Sequence, residues 1–463
     1  MRKLQILGPV VFSLIALAVR AEPFSEEWLQ QGREVAAQAA ADNIAYDVVT
    51  SLTTEVGPRL AGTEAEARAR DWAVELLESL EFDRVYVEGF QVPLWERHIE
   101  HGKIVTPSEQ PLVLVGLGGS ASTPEEGVRG AVLRVESPEE LMSMADGSAE
   151  GMIIFVDQPM VRTKDGEGYG AAVKKRRVTG EHAHRVGAVG ALIRSVGTSG
   201  HRFAHTGQMA RAGTSSAPVA PTAAVSGPDA DQLTRLLERH DVVEVEMTLT
   251  SELRPSAPSG NVIAEWRGKT KPDEVVIIGA HLDSWDLGTG AVDDGAGVGI
   301  VLGAAMALRE AFPEGFDRTL RVILFGSEEV GLVGAKAYAE AHKDELDNIV
   351  LAFESDFGAG DIWRLDHGVT EAGLPAVADL TRMIAHLNVI PGKSGATGGP
   401  DISPMAAMGV PVITPLQDGW DYFDLHHTPN DTLDKIAPNA LDQNVAVYSA
   451  ILSVALRDGV NFK

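Results

Sequence analysis

The C-terminal half of the chain alternates short apolar runs with longer runs of helical character. Four apolar runs are typical of buried strands: 275–278, 320–325, 349–353 and 410–414. Helices are predicted between them, over 297–311 and 334–342. Strands that are apolar on both faces and alternate with helices form parallel sheets covered on both sides. This pattern predicts an α/β fold with a doubly wound, mostly parallel sheet.

Metal-ligating residue types follow these strands, directly or after one loop. They are two histidines and three carboxylates: His281, Asp293, Glu329, Asp356 and His427. In open α/β sheets, ligands bind at the carboxyl ends of the strands, so we expect these side chains to meet. Imidazole and carboxylate groups suit divalent cations, and one bridging carboxylate would complete a two-metal site.

Two further carboxylates have predicted supporting roles. Asp283 lies two residues after His281, so in an extended segment it shares a side with the imidazole and can accept its free ring N–H. Glu328 precedes Glu329 at a strand end, where adjacent side chains point in different directions. One of the pair can therefore bind metal while the other acts as a general base.

Composition narrows the chemistry and the partners. The 463 residues include no cysteine, which excludes disulfides, thiolate nucleophiles, cysteine-ligated zinc and iron–sulfur clusters. The formal net charge of −27 disfavours nucleic acid and anionic lipid, because both need clustered basic residues. Any metal site must therefore be built from histidine and carboxylate.

The N-terminus predicts export. A basic start at Arg2 and Lys3 precedes the apolar run 4–19, and Ala21 offers a small residue for cleavage, so residues 1–21 are interpreted as a signal peptide. An uncleaved membrane anchor is the alternative, but Gly8 and Pro9 interrupt a run shorter than a spanning helix needs. We expect a periplasmic or secreted protein with no membrane attachment after cleavage.

The chain is too long for one core, which predicts two domains or one domain with an insertion. Residues 22–106 are predicted to form the first part of a catalytic domain, and 251–463 its second part with the metal site. Residues 107–250 are predicted to be a β-rich insertion, with one helix around 180–186. The Pro/Ser-rich stretch 251–258 is interpreted as a linker.

Longer stretches surround the candidate ligands: GAHLDSWDLGTGAVDDGAG (279–297), FGSEEVGLVGA (325–335), ESDFGAG (354–360) and FDLHHTPNDT (423–432). They resemble metallopeptidase family M28, which has a zinc-peptidase/phosphorylase-like catalytic domain. Further stretches resemble the plasma glutamate carboxypeptidase-like branch: VGPRLAGT (56–63), PLWERH (93–98) and LIRSVGTSGHRFAHTG (192–207). The resemblance therefore covers nearly the whole mature chain.

The resemblance implies a role for each candidate residue. His281 and Asp356 would hold one Zn²⁺ and Glu329 and His427 a second, while Asp293 bridges them, Glu328 is the general base and Asp283 supports His281. A cis peptide is expected after Asp293. The insertion would be a protease-associated-like cap domain, with His205, Tyr422 and His426 as candidate substrate contacts, and the relatives suggest a homodimer.

The function implied is that of a di-zinc exopeptidase that hydrolyses short peptides, dipeptides with free termini, by a metal-activated water. Three alternatives stay open. One is an aminopeptidase that acts on longer peptides. The others are a one-zinc glutaminyl cyclase and a non-catalytic binding protein on the same fold, against which the complete ligand set argues.

Overall fold

The computed structural model describes residues 24–209 and 217–463. The predicted signal peptide lies outside these residues. The strands are β1 Arg84–Thr106, β2 Gln110–Leu112, β3 Leu114–Gly116, β4 Val128–Val135, β5 Ile153–Val156, β6 Gly190–Arg194, β7 Thr222–Val225, β8 Glu244–Trp266, β9 Lys271–His281, β10 Arg318–Phe325, β11 Ile349–Glu354, β12 Ile362–Gly368, β13 Ile390–Ser394 and β14 Val412–Gln417. The helices are α1 Glu26–Ala41, α2 Ala45–Ser51, α3 Glu64–Ser79, α4 Pro138–Ser143, α5 Glu167–Arg185, α6 Gly227–Leu237, α7 Ala296–Ala311, α8 Val333–Ala341, α9 Leu374–Ile384, α10 Ser403–Ala407, α11 Tyr422–Leu425 and α12 Asp442–Ala455.

The larger sheet has the order β13-β12-β14-β11-β9-β10-β8. Its central strands β14, β11, β9 and β10 run parallel, whereas β12 and β8 pair antiparallel at the flanks. All six residues of β11 are buried, as are the last seven of β9, so both faces are covered. The predicted α/β fold with a mostly parallel sheet is confirmed.

Helix α7 forms the centre of the core on one face of this sheet. The segment Ala291–Ala311 is long and apolar enough to cross a membrane, but 94% of its most apolar window is buried inside the fold. Its small residues allow α2 to approach closely: a Cβ at Gly299 would lie 2.6 Å from the carbonyl oxygen of Ala45. This segment is therefore a core helix of the α/β fold.

Strands β1 and β8 form a long antiparallel ribbon of 23 residues each. The predicted linker at 251–258 is wrong, because this stretch lies inside β8 and pairs with β1. The register shifts between Val92 and Leu94, opposite Pro255, and proline is tolerated at such irregularities because it lacks the ladder N–H. The Pro/Ser composition thus marks a bulge within a strand.

The region 107–250, called the insertion below, carries a second group of strands. Its strands β4, β5, β6 and β7 are parallel, with β3 antiparallel at the edge, and β4 joins them to β8. The insertion has its own buried apolar clusters around Ile154 and Phe155. The helix predicted around 180–186 is the end of the longer α5, so the insertion is α/β in character.

Candidate metal centre

The five predicted ligands meet at the carboxyl end of the central strands. His281 is the last residue of β9, Glu329 follows β10 and Asp356 follows β11. Asp293 lies in the irregular turn before α7, and His427 follows α11. Because β9, β10 and β11 are parallel, their ends bring these side chains to one edge of the sheet.

Asp293 lies between the two predicted histidine ligands. Its Oδ1 is 3.2 Å from His281 Nε2, and its Oδ2 is 3.4 Å from His427 Nε2. Asp356 Oδ1 lies 3.6 Å from His281 Nε2, and Glu329 Oε2 lies 2.8 Å from His427 Nε2. Each imidazole therefore faces one oxygen of Asp293 and one further carboxylate. A cis peptide joins Asp293 to Asp294, as the resemblance implies.

Main-chain carbonyls orient both imidazoles. His281 Nδ1 is 2.9 Å from the carbonyl oxygen of Asp283, and His427 Nδ1 is 3.2 Å from that of Thr206. Since a carbonyl can only accept, each Nδ1 donates, and each Nε2 is the ring nitrogen that faces the carboxylates and could bind a cation. Thr206 belongs to the insertion, so the insertion helps to orient the predicted ligand His427.

The chemistry of this donor set fits divalent cations. Asp293 Oδ2 and Glu329 Oε1 are buried and have no hydrogen-bond donor among the described residues. Burial, followed by repulsion from Asp293 and Glu328, raises the pKa of Glu329 well above its ordinary value. Burial likewise raises the pKa of Asp356. A cation held by these residues would offset this repulsion and would pair with the free oxygens.

Comparison with known proteins agrees with this geometry. The sequence profile described as Peptidase family M28 matches residues 261–452. Carboxypeptidase Q of Xenopus laevis is 33% identical over 422 residues, which cover 90% of this chain and 87% of that protein. The chain belongs to peptidase family M28. It is a zinc metallopeptidase whose relatives include exopeptidases.

A solved structure and a further sequence relative match most of this M28 peptidase. The crystal structure of a peptidase M28 precursor from Shewanella amazonensis SB2B has a TM-score of 0.91 and 46% identity, covering 95% of this chain and 98% of that chain. The aminopeptidase YwaD of Bacillus subtilis (strain 168) is 24% identical, covering 88% of this chain and 84% of that protein. Both matches span the insertion as well as the metal centre.

Asp283 and Glu328 lie beside the ligands, but the contacts of Asp283 differ from the prediction. The Asp283 carboxylate, predicted to accept from His281, lies 3.7 Å from Nδ1, and the carbonyl oxygen of Asp283 makes that contact. The carboxylate instead accepts from the N–H groups of Glu328 (3.0 Å) and Glu329 (3.4 Å). Asp283 thus holds the turn that presents both glutamates.

Glu328 has the surroundings of a proton acceptor. Glu329 belongs to a group of described residues, with His281 and Asp293, that could hold a metal ion. Glu328 belongs to no such group among the described residues. Burial and the nearby carboxylates of Asp356, Asp283 and Asp293 raise the pKa of Glu328 well above its ordinary value. Ser327, at φ 63°, is left-handed and turns the chain sharply between β10 and this pair.

The two adjacent histidines differ in their contacts. His426 Nε2 is 3.7 Å from Asp293 Oδ2, and among the described residues no second carboxylate pairs with it. His427 meets both Asp293 and Glu329. The rings stack with centroids 3.5 Å apart, and burial lowers the pKa of His426 to about 3. His427 is therefore better placed than His426 to be a metal ligand, and the His426 ring packs beside it.

The other predicted substrate contacts lie around His426. Tyr422 packs with its ring centroid 5.2 Å from that of His426. His205 Nδ1 is 2.7 Å from the carbonyl oxygen of His426, and burial lowers the pKa of His205 to about 4. His205 thus joins the insertion to the metal-centre loop through the main chain.

Three residues that the sequence reasoning did not single out support the centre. Asp431 accepts from the N–H groups of Val292 and Asp293, and Asp294 accepts from those of His281 and Gly297. Arg59, fully buried, donates to the carbonyl oxygens of Gly57, Leu282, Thr289 and Gly290. All three lie within stretches that carry the family resemblance, but only long-range contacts reveal their roles.

Proposed function

We propose that this M28 peptidase is a di-zinc exopeptidase that cleaves short peptides, with dipeptides bearing free termini as its main substrates. His281 and Asp356 would hold one zinc ion, Glu329 and His427 the other, and Asp293 would bridge them. The observation that carries this proposal is the position of Asp293, whose two oxygens face two different imidazoles at 3.2 and 3.4 Å.

A bound zinc pair supplies Lewis-acid activation of a water molecule and stabilises negative charge on the attacked carbonyl oxygen. The residues of the chain supply the proton transfers. Glu328 takes a proton from the attacking water and returns it to the amine that leaves when the peptide bond breaks. Asp283 keeps Glu328 in place through its N–H.

The proposed preference for short peptides rests on the insertion. The N–H of Thr206 donates to the carbonyl oxygen of His427 at 3.0 Å, so the insertion packs directly on the metal-centre loop. We propose that the insertion, residues 107–250, is a protease-associated-like cap between two parts of the catalytic domain, 22–106 and 251–463. His205, His426 and Tyr422 would line its contact with substrate. The carboxypeptidase Q relatives support an exopeptidase.

A second candidate is an aminopeptidase that trims longer peptides. The observation that favours it is the match to aminopeptidase YwaD over most of both chains. The two functions differ in whether the cleft accepts residues beyond the second, so substrate length separates them.

Export and assembly complete the proposal. We propose that residues 1–21 are a signal peptide removed on export to the periplasm or outside the cell, and that the mature protein is a homodimer. The Shewanella relative is described as a precursor, which supports removal of a leader segment. Light scattering on the mature protein tests the assembly, and a monomer mass would contradict the homodimer.

The deciding experiment combines zinc quantification with a peptide panel. We expect two zinc ions per chain, and faster hydrolysis of dipeptides than of tripeptides with the same N-terminal residue. Equal rates on tripeptides would favour the aminopeptidase. One zinc ion per chain, with no hydrolysis of either, would overturn the proposal and return a glutaminyl cyclase to consideration.

A further inference from the structure

The insertion contains a cavity at the carboxyl ends of its parallel strands, called the insertion cavity below. Its volume is about 370 Å³, and two of its walls are residues 197–200, which follow β6, and the first turns of α6. Cavities of this size are typical of small-molecule sites, and open parallel sheets bind ligands at this edge. The described residues that line it all belong to the insertion, and none of them is a predicted metal ligand.

His205 has a ring nitrogen without a partner at the wall of the insertion cavity. The residue lines the cavity and is buried, with 2% of its surface exposed. Its Nδ1 is 2.7 Å from the carbonyl oxygen of His426 and is therefore the donor of the ring, and no described residue forms a hydrogen bond with Nε2. A Cβ at Gly197 would clash with Nε2, so this nitrogen lies beside a glycine that also lines the cavity.

Nε2 of His205 is available as an acceptor. Burial lowers the pKa of His205 to about 4, so the ring is neutral at about pH 7. A neutral imidazole that donates through Nδ1 can only accept through Nε2. A ligand that reaches this nitrogen must therefore bring a proton of its own.

The rest of the insertion cavity offers mainly hydrogen-bond donors. Gly197, Ser199 and Gly200 line it, and no acceptor among the described residues contacts their main-chain N–H groups. Helix α6, which has 11 residues, begins at the cavity with Gly227. Its N-terminus adds free N–H groups and partial positive charge. These groups together favour an acceptor-rich ligand.

The charged side chains around the cavity leave a positive excess. Asp231 is the one carboxylate among the described residues that line it, and it lies 2.7 Å from Arg194. Arg194 also pairs with Asp157, which pairs in turn with Arg134, so two arginines balance two aspartates. Arg235, about two helical turns along α6, lines the cavity and pairs with none of the described carboxylates. On a chain with a formal net charge of −27, this local excess favours a small anion.

Among small anions, the phosphate group has the matching set of donors and acceptors. Its second pKa is about 6, so near neutral pH one oxygen can keep a proton and donate it to Nε2 of His205. The other oxygens accept from the free N–H groups of 197–200 and of the α6 N-terminus. Sulfate has the same shape but no proton, and would leave Nε2 without a donor.

We propose that the insertion cavity binds a phosphate group, as free phosphate or as the phosphate of a small monoester, between His205, the N–H groups of 197–200 and the start of α6. The part of the cavity that follows α6 from Gly227 to Arg235 is about 12 Å long and leaves space for an organic group beside the phosphate. This site is separate from the metal centre, and the inference does not depend on the proposed exopeptidase function.

Equilibrium dialysis of the zinc-loaded enzyme at about pH 6.5 tests the proposal with three probes: inorganic phosphate, phenyl phosphate and sulfate. We expect both phosphate compounds to bind, and sulfate to bind at least about 10-fold more weakly, the effect of one charge-assisted hydrogen bond. Tighter binding of phenyl phosphate than of inorganic phosphate would identify a monoester as the ligand, and the reverse order would identify free phosphate.

Gly200→Asp is the variant that should block the site. Nothing lies within 4 Å of a Cβ placed at Gly200, so the new carboxylate fits beside the free N–H groups and repels the anion. We expect affinity for both phosphate compounds to fall by about 10- to 100-fold. Gly170→Asp is the matched control, because Gly170 is exposed on α5, has the same free space and does not line the cavity.

His205→Phe tests the acceptor, because phenylalanine keeps the ring but removes Nε2. Affinity for phosphate should fall to that for sulfate. Zinc content and Tm report whether each variant folds, and if His205→Phe does not, the sulfate comparison in the wild type decides the role of His205.

Three results would overturn the proposal. One is the absence of phosphate binding to the wild type at millimolar concentration. Another is equal affinity of Gly200→Asp and Gly170→Asp for phosphate, which would place any bound phosphate elsewhere, for example on the zinc ions. The third is sulfate binding as tight as phosphate binding. None of these results would affect the test of peptide hydrolysis.

Discussion

At the scale of single residues, Glu328 and Glu329 are adjacent in the chain but have different partners. Glu329 lies 2.8 Å from His427, whereas the carboxylate of Glu328 faces the other carboxylates of the centre. The two side chains point in different directions because the backbone turns sharply at Ser327 and both N–H groups are fixed by Asp283. Proton transfer and metal binding can therefore be tested independently.

Glu328→Gln should lower kcat by about 10²- to 10⁴-fold, because the amide keeps the shape but cannot take a proton. Zinc content should stay at the wild-type level. Steady-state kinetics with elemental analysis on the same sample measures both. Near-normal turnover with full zinc occupancy would show that another group is the base.

At the scale of secondary-structure elements, close packing of α7 on α2 depends on glycine. Gly299→Ala would place a Cβ 2.6 Å from the carbonyl oxygen of Ala45, a backbone atom that cannot move aside cheaply. We expect the free energy of unfolding to fall by about 1–3 kcal/mol, the usual effect of overpacking a core. Denaturant unfolding measures this loss.

Gly170→Ala is the matched control for that substitution. Gly170 is also in a helix, α5, but nothing lies within 4 Å of a Cβ placed there. Alanine should therefore stabilise the protein slightly, by about 0.5–1 kcal/mol, through its better helix propensity. Equal losses at both positions would contradict the packing argument for α7.

The end of α8 provides a pH-dependent contact with β1. His342 Nε2 is 2.9 Å from Glu88, and this hydrogen bond raises the pKa of His342 above 6.5. A raised folded-state pKa stabilises the protein below the unfolded pKa, and the effect is lost as the pH rises through the folded-state pKa. His342→Gln should therefore destabilise the protein at about pH 5.5 and have little effect at about pH 9.

The size of this effect should be at most about 1 kcal/mol, because the imidazole is partly exposed. His240→Gln is the control, since His240 is exposed and lies away from the β1 contact. Thermal unfolding of both variants across the pH range measures the difference. A stability gap that widens toward alkaline pH would contradict the role of Glu88.

At the scale of the whole molecule, the metal centre joins parts of the chain that are far apart in sequence. Arg59 near the N-terminus, Thr206 in the insertion and Asp431 near the C-terminus each contact a segment that carries a predicted ligand. Metal binding should therefore stabilise the entire fold, not only the strand ends.

Removal of zinc with a chelator should lower Tm, and two equivalents of zinc should restore it. Binding that is specific to the folded state contributes about 4 kcal/mol per site at a ligand concentration roughly 1,000 times Kd. Asp293→Asn should reduce the rise in Tm on addition of zinc, because Asp293 faces both imidazoles. Glu328→Gln should leave this rise in Tm unchanged. Calorimetry with and without zinc measures these shifts, and an unchanged Tm after chelation would contradict the prediction.

The sequence alone determined the parallel α/β sheet and the residues that gather at its edge. Buried parallel strands appear in the sequence as uninterrupted apolar runs. The carboxyl ends of such strands lie at one edge of the sheet. Because His281, Glu329 and Asp356 follow three such runs, the sequence was sufficient to predict that they lie close together. The absence of cysteine then restricted the metal ligands to histidine and carboxylate.

Only the tertiary structure decided the contacts that depend on pairing across long stretches of chain. The segment 251–258 has the composition of a linker, but β1 supplies a partner that makes it a strand. The main-chain oxygen of Asp283 orients His281 because the turn after β9 sends the carboxylate toward Glu328 and Glu329. Arg59 donates to four carbonyl oxygens, and three of these belong to residues more than 200 positions away in the chain. Local sequence carries no record of these partners, because only the fold brings them to the guanidinium.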